Sequence, residues 1–214
     1  MNGSASNRTT LLGGLGLALV ALIQLVTLVG SWFPNAVESF FVLNIVPNQI
    51  VVPLLLLASC VILAFGYRRE QGIVGSSVLG RVGFLVLGLT SPIQIVFSLL
   101  LLNASAIGSP GAIWVGTALE VLPVAATAVA AVAVVRAHVL TGFARWILVG
   151  VAAAELVQFG LSAVPNATQS YYIAVLFYLA VVPLLLLLSA GVSFALEGRA
   201  GGIRQRLQVI YAKW

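Results

Sequence analysis

Residues 16–30 read GLALVALIQLVTLVG, and this stretch decides the fold class. With its flanking residues it reaches the length of about 20 residues that a helix needs to cross a bilayer core of about 30 Å. Of the 214 residues in the chain, 61% are hydrophobic and 7% are charged, whereas a soluble domain has about 25% charged residues. The sequence therefore predicts an integral membrane protein that is surrounded by lipid over most of its length.

Similar apolar stretches recur along the chain, and we predict six transmembrane spans. They lie near residues 11–31, 49–66, 82–102, 113–135, 146–164 and 172–196. The spans lack the period-two alternation of a membrane strand, and a backbone in lipid has to satisfy its own hydrogen bonds, so we expect helices. The predicted fold is one all-α six-helix transmembrane domain over residues 1–198, with the first helix retained.

The basic residues predict the orientation of this domain. They precede the first span, lie between the second and third and between the fourth and fifth, and follow the sixth. The alternate loops 32–48, 103–112 and 165–171 contain none. Because positively charged loops stay on the cytoplasmic side, both termini are predicted to be cytoplasmic. The net charge of +5 then indicates contact with anionic lipid at that face, and we expect no nucleic-acid partner.

The C-terminal residues 199–214 predict a basic amphipathic tail. Ile203, Leu207 and Ile210 recur at helical spacing among arginines, which favours a short helix on the cytoplasmic leaflet or a docking site for a protein partner. Lys213 is the only lysine beside nine arginines, a composition typical of a GC-rich prokaryotic genome. We therefore expect a multi-pass protein of a prokaryotic plasma membrane.

Several classes of function are disfavoured by residues that the chain lacks. Cys60 is the only cysteine and His138 the only histidine, so the usual ligand spacing of metal and haem sites is absent. Lys213 lies outside every span, which excludes a retinal Schiff base. The sequence also has no nucleophile–base pair and no phosphate-binding loop. We expect no cofactor, no metal and no enzyme activity.

The spans suggest an internal repeat of three tandem helical hairpins. Each odd-numbered span has an arginine near its start and a glutamine near its middle, and each even-numbered span contains a proline. The residues are Gln24, Gln94 and Gln158, and Pro53, Pro123 and Pro183. The repeating unit is about 60–70 residues long. Alternatively, the spans resemble one another only because apolar helices draw on few residue types.

The three glutamines predict a polar layer slightly outward of the middle of the membrane. Each lies on a helical stripe of small polar residues: Gln24, Thr27 and Ser31; Thr90, Gln94 and Ser98; Glu155, Gln158 and Ser162. An amide in hydrocarbon is unfavourable without a partner, so the stripes should face the interior of the bundle. They could equally be inter-helix contacts worth about 0.6–2 kcal/mol each.

Two carboxylates within the spans give the sharper functional signal. Glu120 lies in the fourth span and Glu155 near the centre of the fifth, and intramembrane carboxylates are often functional. We expect these antiparallel neighbours to lie at similar depth, and one of the two carboxyl groups to hold a proton near neutral pH. Small residues should bring the two helices close: Ala126 and Ala130 on the fourth span, Gly150 and Ala154 on the fifth. Pro123 should also free the carbonyl of Leu119 beside Glu120.

The predicted ion- or solute-binding residues are Glu120, Glu155, Gln24, Gln94 and Gln158. They favour a small transporter or channel for a proton, a cation or a small solute. The alternative is a non-catalytic membrane subunit or scaffold, in which a protonated glutamate donates one structural hydrogen bond. In either case we expect a homo-oligomer or a protein partner within the membrane.

Overall fold

The structure is a computed structural model that describes residues 7–30, 47–67, 70, 72–103, 110–162 and 181–200. The regular elements of these residues are helical, as predicted. They are α1 (Asn7–Gly30), α2 (Val52–Phe65), α3 (Val78–Asn103), α4 (Pro110–Ala137), α5 (Gly142–Ser162) and α6 (Val181–Ala200). The predicted tail over residues 199–214 lies almost entirely outside the described residues, and so does the greater part of the loops opposite the arginines.

Five of these helices, all except α2, are long and apolar enough to cross a membrane. This confirms the prediction of a multi-pass helical membrane protein, while its orientation in the membrane stays a prediction. The second predicted span differs, because α2 has 14 residues and follows a π-helical turn at Pro47–Val51. Pro53 lies in the first turn of α2, where its missing N–H costs no hydrogen bond, and not in mid-helix as predicted.

Consecutive helices pack against one another around a common core. Contacts join α1 to α2, α2 to α3, α3 to α4 and α4 to α5. The order closes through α6, because Gly191 meets Gly14 and Ala18 of α1, and Leu186 lies beside Gly150 of α5. Cys60, Phe84 and other core residues from all six helices form one buried cluster.

The backbones of α1 and α6 touch where they cross. A Cβ atom added to Gly14 would lie 2.6 Å from the carbonyl oxygen of Gly191 and 2.6 Å from the amide nitrogen of Ala195. A Cβ atom at Gly191 would meet the backbone of Ala18 even more closely. Only glycine permits this approach, and such small-residue crossings hold helices together in lipid.

The small residues of α4 and α5 face different neighbours from those predicted. Ala126 and Ala130 pack on α3, where a Cβ at Gly83 would lie 3.1 Å from their backbone atoms. Gly150 faces Leu186 of α6. Between α4 and α5 the alanines instead line an apolar groove of 420 Å³, with Ala125, Ala128, Ala152 and Ala153 in its walls.

One end of the bundle carries the described arginines, and we call it the arginine-bearing end. There the first turn of α1 is fixed by Glu70, whose Oε2 accepts bonds of 2.9 Å from both the amide and the hydroxyl of Thr9. The Thr9 hydroxyl accepts a bond of 2.8 Å from the amide of Tyr67 at the end of α2. A carboxylate at a helix N-terminus also complements the helix dipole.

Further hydrogen bonds tie the other helix ends together at the arginine-bearing end. Arg145 of α5 donates to the carbonyl of Val135 near the end of α4, at 2.7 Å from Nη2 and 3.1 Å from Nε. Thr141 donates to Glu197 of α6 at 2.7 Å. These bonds span α4, α5 and α6, so this end is cross-linked by polar contacts.

Burial divides the long helices into two halves. Toward the arginine-bearing end they contain buried residues, which extend from that end as far as Ala21 in α1, Thr90 in α3, Ala126 in α4, Val151 in α5 and Ala190 in α6. Beyond these residues, the described side chains of the five helices are half-buried or exposed. We call the two parts the closed half and the open half.

Candidate functional site

Thr127 and Glu155 form a polar contact between α4 and α5. Thr127 is 1% exposed, and its side chain lies next to the Glu155 carboxyl group. The Thr127 hydroxyl also lies 2.9 Å from the carbonyl oxygen of Pro123, one turn earlier in α4. The three groups therefore make a short chain that leads from the Glu155 carboxyl group through a hydroxyl to a backbone carbonyl.

The second carboxyl oxygen of Glu155 has no partner among the residues that the structure describes. Oε2 is buried, and no hydrogen-bond donor among the described residues reaches it. Glu155 follows Val151 by one turn on the same face of α5 as Leu148 and Val151, which are both buried. It thus lies on the interior side, where the closed half gives way to the open half. A buried carboxyl oxygen without a donor is unfavourable if the group is ionised.

Pro123 explains a second polar contact, between α3 and α4, which lies farther into the open half than Thr127 does. Proline has no N–H, so the carbonyl of Leu119, four residues earlier, loses its intrahelical donor. Gln94 of α3 supplies one, since its Nε2 donates to Leu119 O at 3.0 Å. The prediction that Pro123 frees this carbonyl is confirmed, and the amide of Gln94 serves as a cross-helix bond.

Glu120 lies apart from Glu155. It follows Leu119 and therefore lies level with Gln94, whereas Glu155 lies level with Thr127. Glu120 precedes Thr127 by seven residues, which is about 10.5 Å along the axis and close to two full turns. Glu120 is exposed on nearly the same side of α4, facing the open half. The structure does not bring the two glutamates to similar depth.

Gln24 lies close to the level of Gln94. Gly16 of α1 packs on Ser59 of α2, and Gly88 of α3 packs on Leu57, so both glutamines reach the level where α2 begins. Both are half-buried. This places polar amides of α1 and α3 at one depth in the open half.

Gln158 is half-buried and lies one turn beyond Glu155. In the other stripes, Thr90 and Ser98 bond within their own helix, to Leu87 O at 2.7 Å and to Gln94 O at 2.8 Å. The Ser162 side chain and Ser31 lie outside the described residues. Of the predicted site residues, Glu155 and Gln158 lie nearest to the closed half, whereas Gln24, Gln94 and Glu120 lie farther into the open half.

Thr127 is the site residue that the sequence analysis missed. It sits in a run of alanine and valine, and a lone threonine there looks like a helix residue that bonds its own turn. One signal could have identified it, namely its position four residues after Pro123. Among the described residues, no group of three His, Cys, Asp or Glu residues could hold a metal ion.

The chain matches no protein-family model, no curated protein and no solved structure. Function is therefore argued from the groups at this site, because a fold class alone does not determine function.

Proposed function

We propose that the protein is a small membrane transporter or channel for a proton, a cation or a small solute, with Glu155 in the permeation path. The observation that carries this proposal is the buried Oε2 of Glu155, which no donor in the described part of the chain reaches. Intramembrane carboxylates are uncommon and generally mark ion paths or proton relays. A group at the boundary between a closed and an open half is well placed to receive an ion from one side.

The charge distribution favours a positively charged substrate. Residues 9–67, 82–135 and 146–198 contain no lysine or arginine, and Glu120 and Glu155 are their carboxylates within the predicted spans. Glu120 is exposed in the open half, and negative groups in a low-dielectric opening raise the local concentration of cations. We assign Glu120 the role of attracting the ion and Glu155 the role of binding it.

The closed half supplies the barrier that a transporter needs on one side of its site. Phe84 and Phe194 are fully buried there, and α1 and α6 meet at their glycines. A path that is open on one side of the site and closed on the other corresponds to one state of alternating access. With the predicted orientation, this state faces away from the cytoplasm.

The alternative is a non-catalytic subunit or scaffold, and the bond from Gln94 to Leu119 O favours it. That glutamine satisfies a carbonyl that proline has freed, which is a structural role. In either case we propose a homo-oligomer or protein partner in a prokaryotic plasma membrane, with anionic lipid at the cytoplasmic face.

Transport can be tested in proteoliposomes that contain a pH-sensitive dye. Protons, Na⁺ and K⁺ are offered in turn as gradients, and dye response or ion uptake is measured. The wild type should carry at least one of these ions, and Glu155→Gln should abolish that flux. Gly160→Ala is the matched control, because a Cβ at that position of α5 meets open space, and it should keep the flux.

Folding is checked for each variant by thermal stability and elution in detergent. Flux equal to that of protein-free liposomes for all three ions would overturn transport of these ions and favour the scaffold. A stoichiometric protein partner that copurifies from the native membrane would favour it further.

A further inference from the structure

We infer that Glu155 is protonated in this conformation and donates its proton to the Thr127 hydroxyl, which in turn donates to Pro123 O. This inference deepens the proposed function, because it names the proton as the ion that the site exchanges. It rests on the proposed function only for the statement that this exchange accompanies transport. The protonated state itself is supported by the bond from Thr127 to Pro123 O and by the burial of Glu155 Oε2.

The Thr127 hydroxyl has too few hydrogens to donate to two acceptors. Thr127 has one hydroxyl hydrogen and two oxygen neighbours, the Pro123 carbonyl at 2.9 Å and the Glu155 carboxyl group. Carbonyls and ionised carboxylates are acceptors only. If Glu155 were ionised, one hydrogen would have to serve both contacts. If Glu155 is protonated, each contact has its own hydrogen and both bonds form.

The unpartnered oxygen points to the same state. Oε2 is buried without a donor among the described residues, and a buried charge without donors is far more unfavourable than a buried neutral carbonyl. In the protonated group, one oxygen donates to Thr127 and the other is such a neutral carbonyl. No basic residue offsets the charge at this depth, since residues 146–198 and 82–135 contain none.

The neighbouring helices offer little charge to this site. On α4, Glu120 lies two turns away in the open half and Arg136 is exposed at the arginine-bearing end. On α6, Glu197 and Arg199 lie at that same end, as do Arg81 of α3 and Arg145 of α5. Protonation of Glu155 is therefore governed by its own burial and by Thr127.

Loss of the proton reverses the hydrogen-bond chain. The Thr127 hydroxyl then turns to donate to the carboxylate, and Pro123 O loses that bond. Pro123 lies inside α4, where proline bends a helix, and the carbonyl of Leu119 one turn earlier is held by Gln94 of α3. The charge on Glu155 is thus linked to the bend of α4 and to its contact with α3.

Infrared difference spectroscopy of the reconstituted full-length protein tests the protonated state. At neutral pH the wild type should show the C=O stretch of a buried carboxylic acid, which disappears in Glu155→Gln and persists in Glu120→Gln. Thr127→Val has nearly the shape of threonine but no hydroxyl, so it should shift this band to higher frequency. Thr127→Ser should keep the wild-type frequency.

The outcomes separate this inference from the proposed function. The inference is overturned if Glu155→Gln removes no carboxylic-acid band. It is also overturned if Thr127→Val leaves the frequency of that band unchanged. If flux depends on Glu155 while that band is absent, transport stands and the site binds another cation as an ionised carboxylate. If the band responds to Thr127 but no flux is found, the protonated site stands and transport fails.

Discussion

The closed and open halves of the bundle are both built from apolar helices, yet only one of them is tightly packed. In α1 the closed half contains Gly13, Gly14 and Gly16, which contact α2 or α6 directly, whereas no side chain of residues 22–30 in the open half is buried. Lipid is as apolar as leucine, so hydrophobicity does not bring helices together in a membrane. Small residues and hydrogen bonds do so, and the close glycine contacts between α1 and α6 lie in the closed half.

The largest effect is expected where α1 crosses α6. Gly14→Leu would force a side chain into backbone atoms 2.6 Å from the new Cβ, and neither helix can yield without separating. We expect a loss of about 3 kcal/mol or more, at or above the upper range for overpacking, measured by unfolding in detergent.

The matched control for this change lies in the open half. A Cβ at Gly116 of α4 meets nothing within 4 Å, so Gly116→Leu should change stability by less than about 0.5 kcal/mol. Equal losses for the two variants would mean that the halves do not differ in packing, contrary to the comparison above.

A smaller effect is expected at the bond that spans α3 and α4 in the open half. Gln94→Leu leaves the carbonyl of Leu119 without its donor and should cost about 0.6–2 kcal/mol. In a Pro123→Ala background the backbone N–H of residue 123 can donate to that carbonyl, so the same change should cost much less. A double-mutant cycle measures this coupling. Strictly additive losses would show that Gln94 does not replace the donor that Pro123 removes.

The smallest effect on stability is expected for single cysteine substitutions, whose labelling tests the orientation of the two halves in the membrane. In a Cys60→Ala background, Ser76→Cys at the arginine-bearing end should be shielded from an impermeant thiol reagent in intact cells. Ser105→Cys, in the loop 103–112 that lacks basic residues, should be labelled. Ser76 is exposed in the protein, so its labelling in intact cells would place the closed half outside and reverse the direction of the proposed path.

The helices were predictable from sequence because a long apolar run has one solution in lipid, a hydrogen-bonded helix. The depth of α2 was less predictable, since Pro53 fits equally well inside a kinked span and in the first turn of a shorter helix. Which neighbour a small residue faces was not predictable either. Ala126 and Ala130 pack against Gly83 of α3, because the rotation of a uniformly apolar helix is set by partners that one sequence does not reveal.

The candidate site was predictable in part. Glu155 and Gln94 stand out as polar residues in apolar spans, and the freed carbonyl of Leu119 follows from Pro123 alone. The relative depth of Glu120 and Glu155 required the register between α4 and α5, which Thr127 and Glu155 set. A connection of a few residues allows one helix to shift along the other by a turn or more. The predicted depth of Glu120 relative to Glu155 was wrong by a shift of this size.

The crossing of α1 and α6 has a consequence for how the protein is made. Gly14 and Gly191 lie 177 residues apart in the chain, so at a synthesis rate of about 5–20 residues per second the first helix waits about 10–35 s for the last one. During that time its glycine face has only lipid or another protein against it. A chain that stops before α6 keeps this face uncovered, which marks it as incomplete.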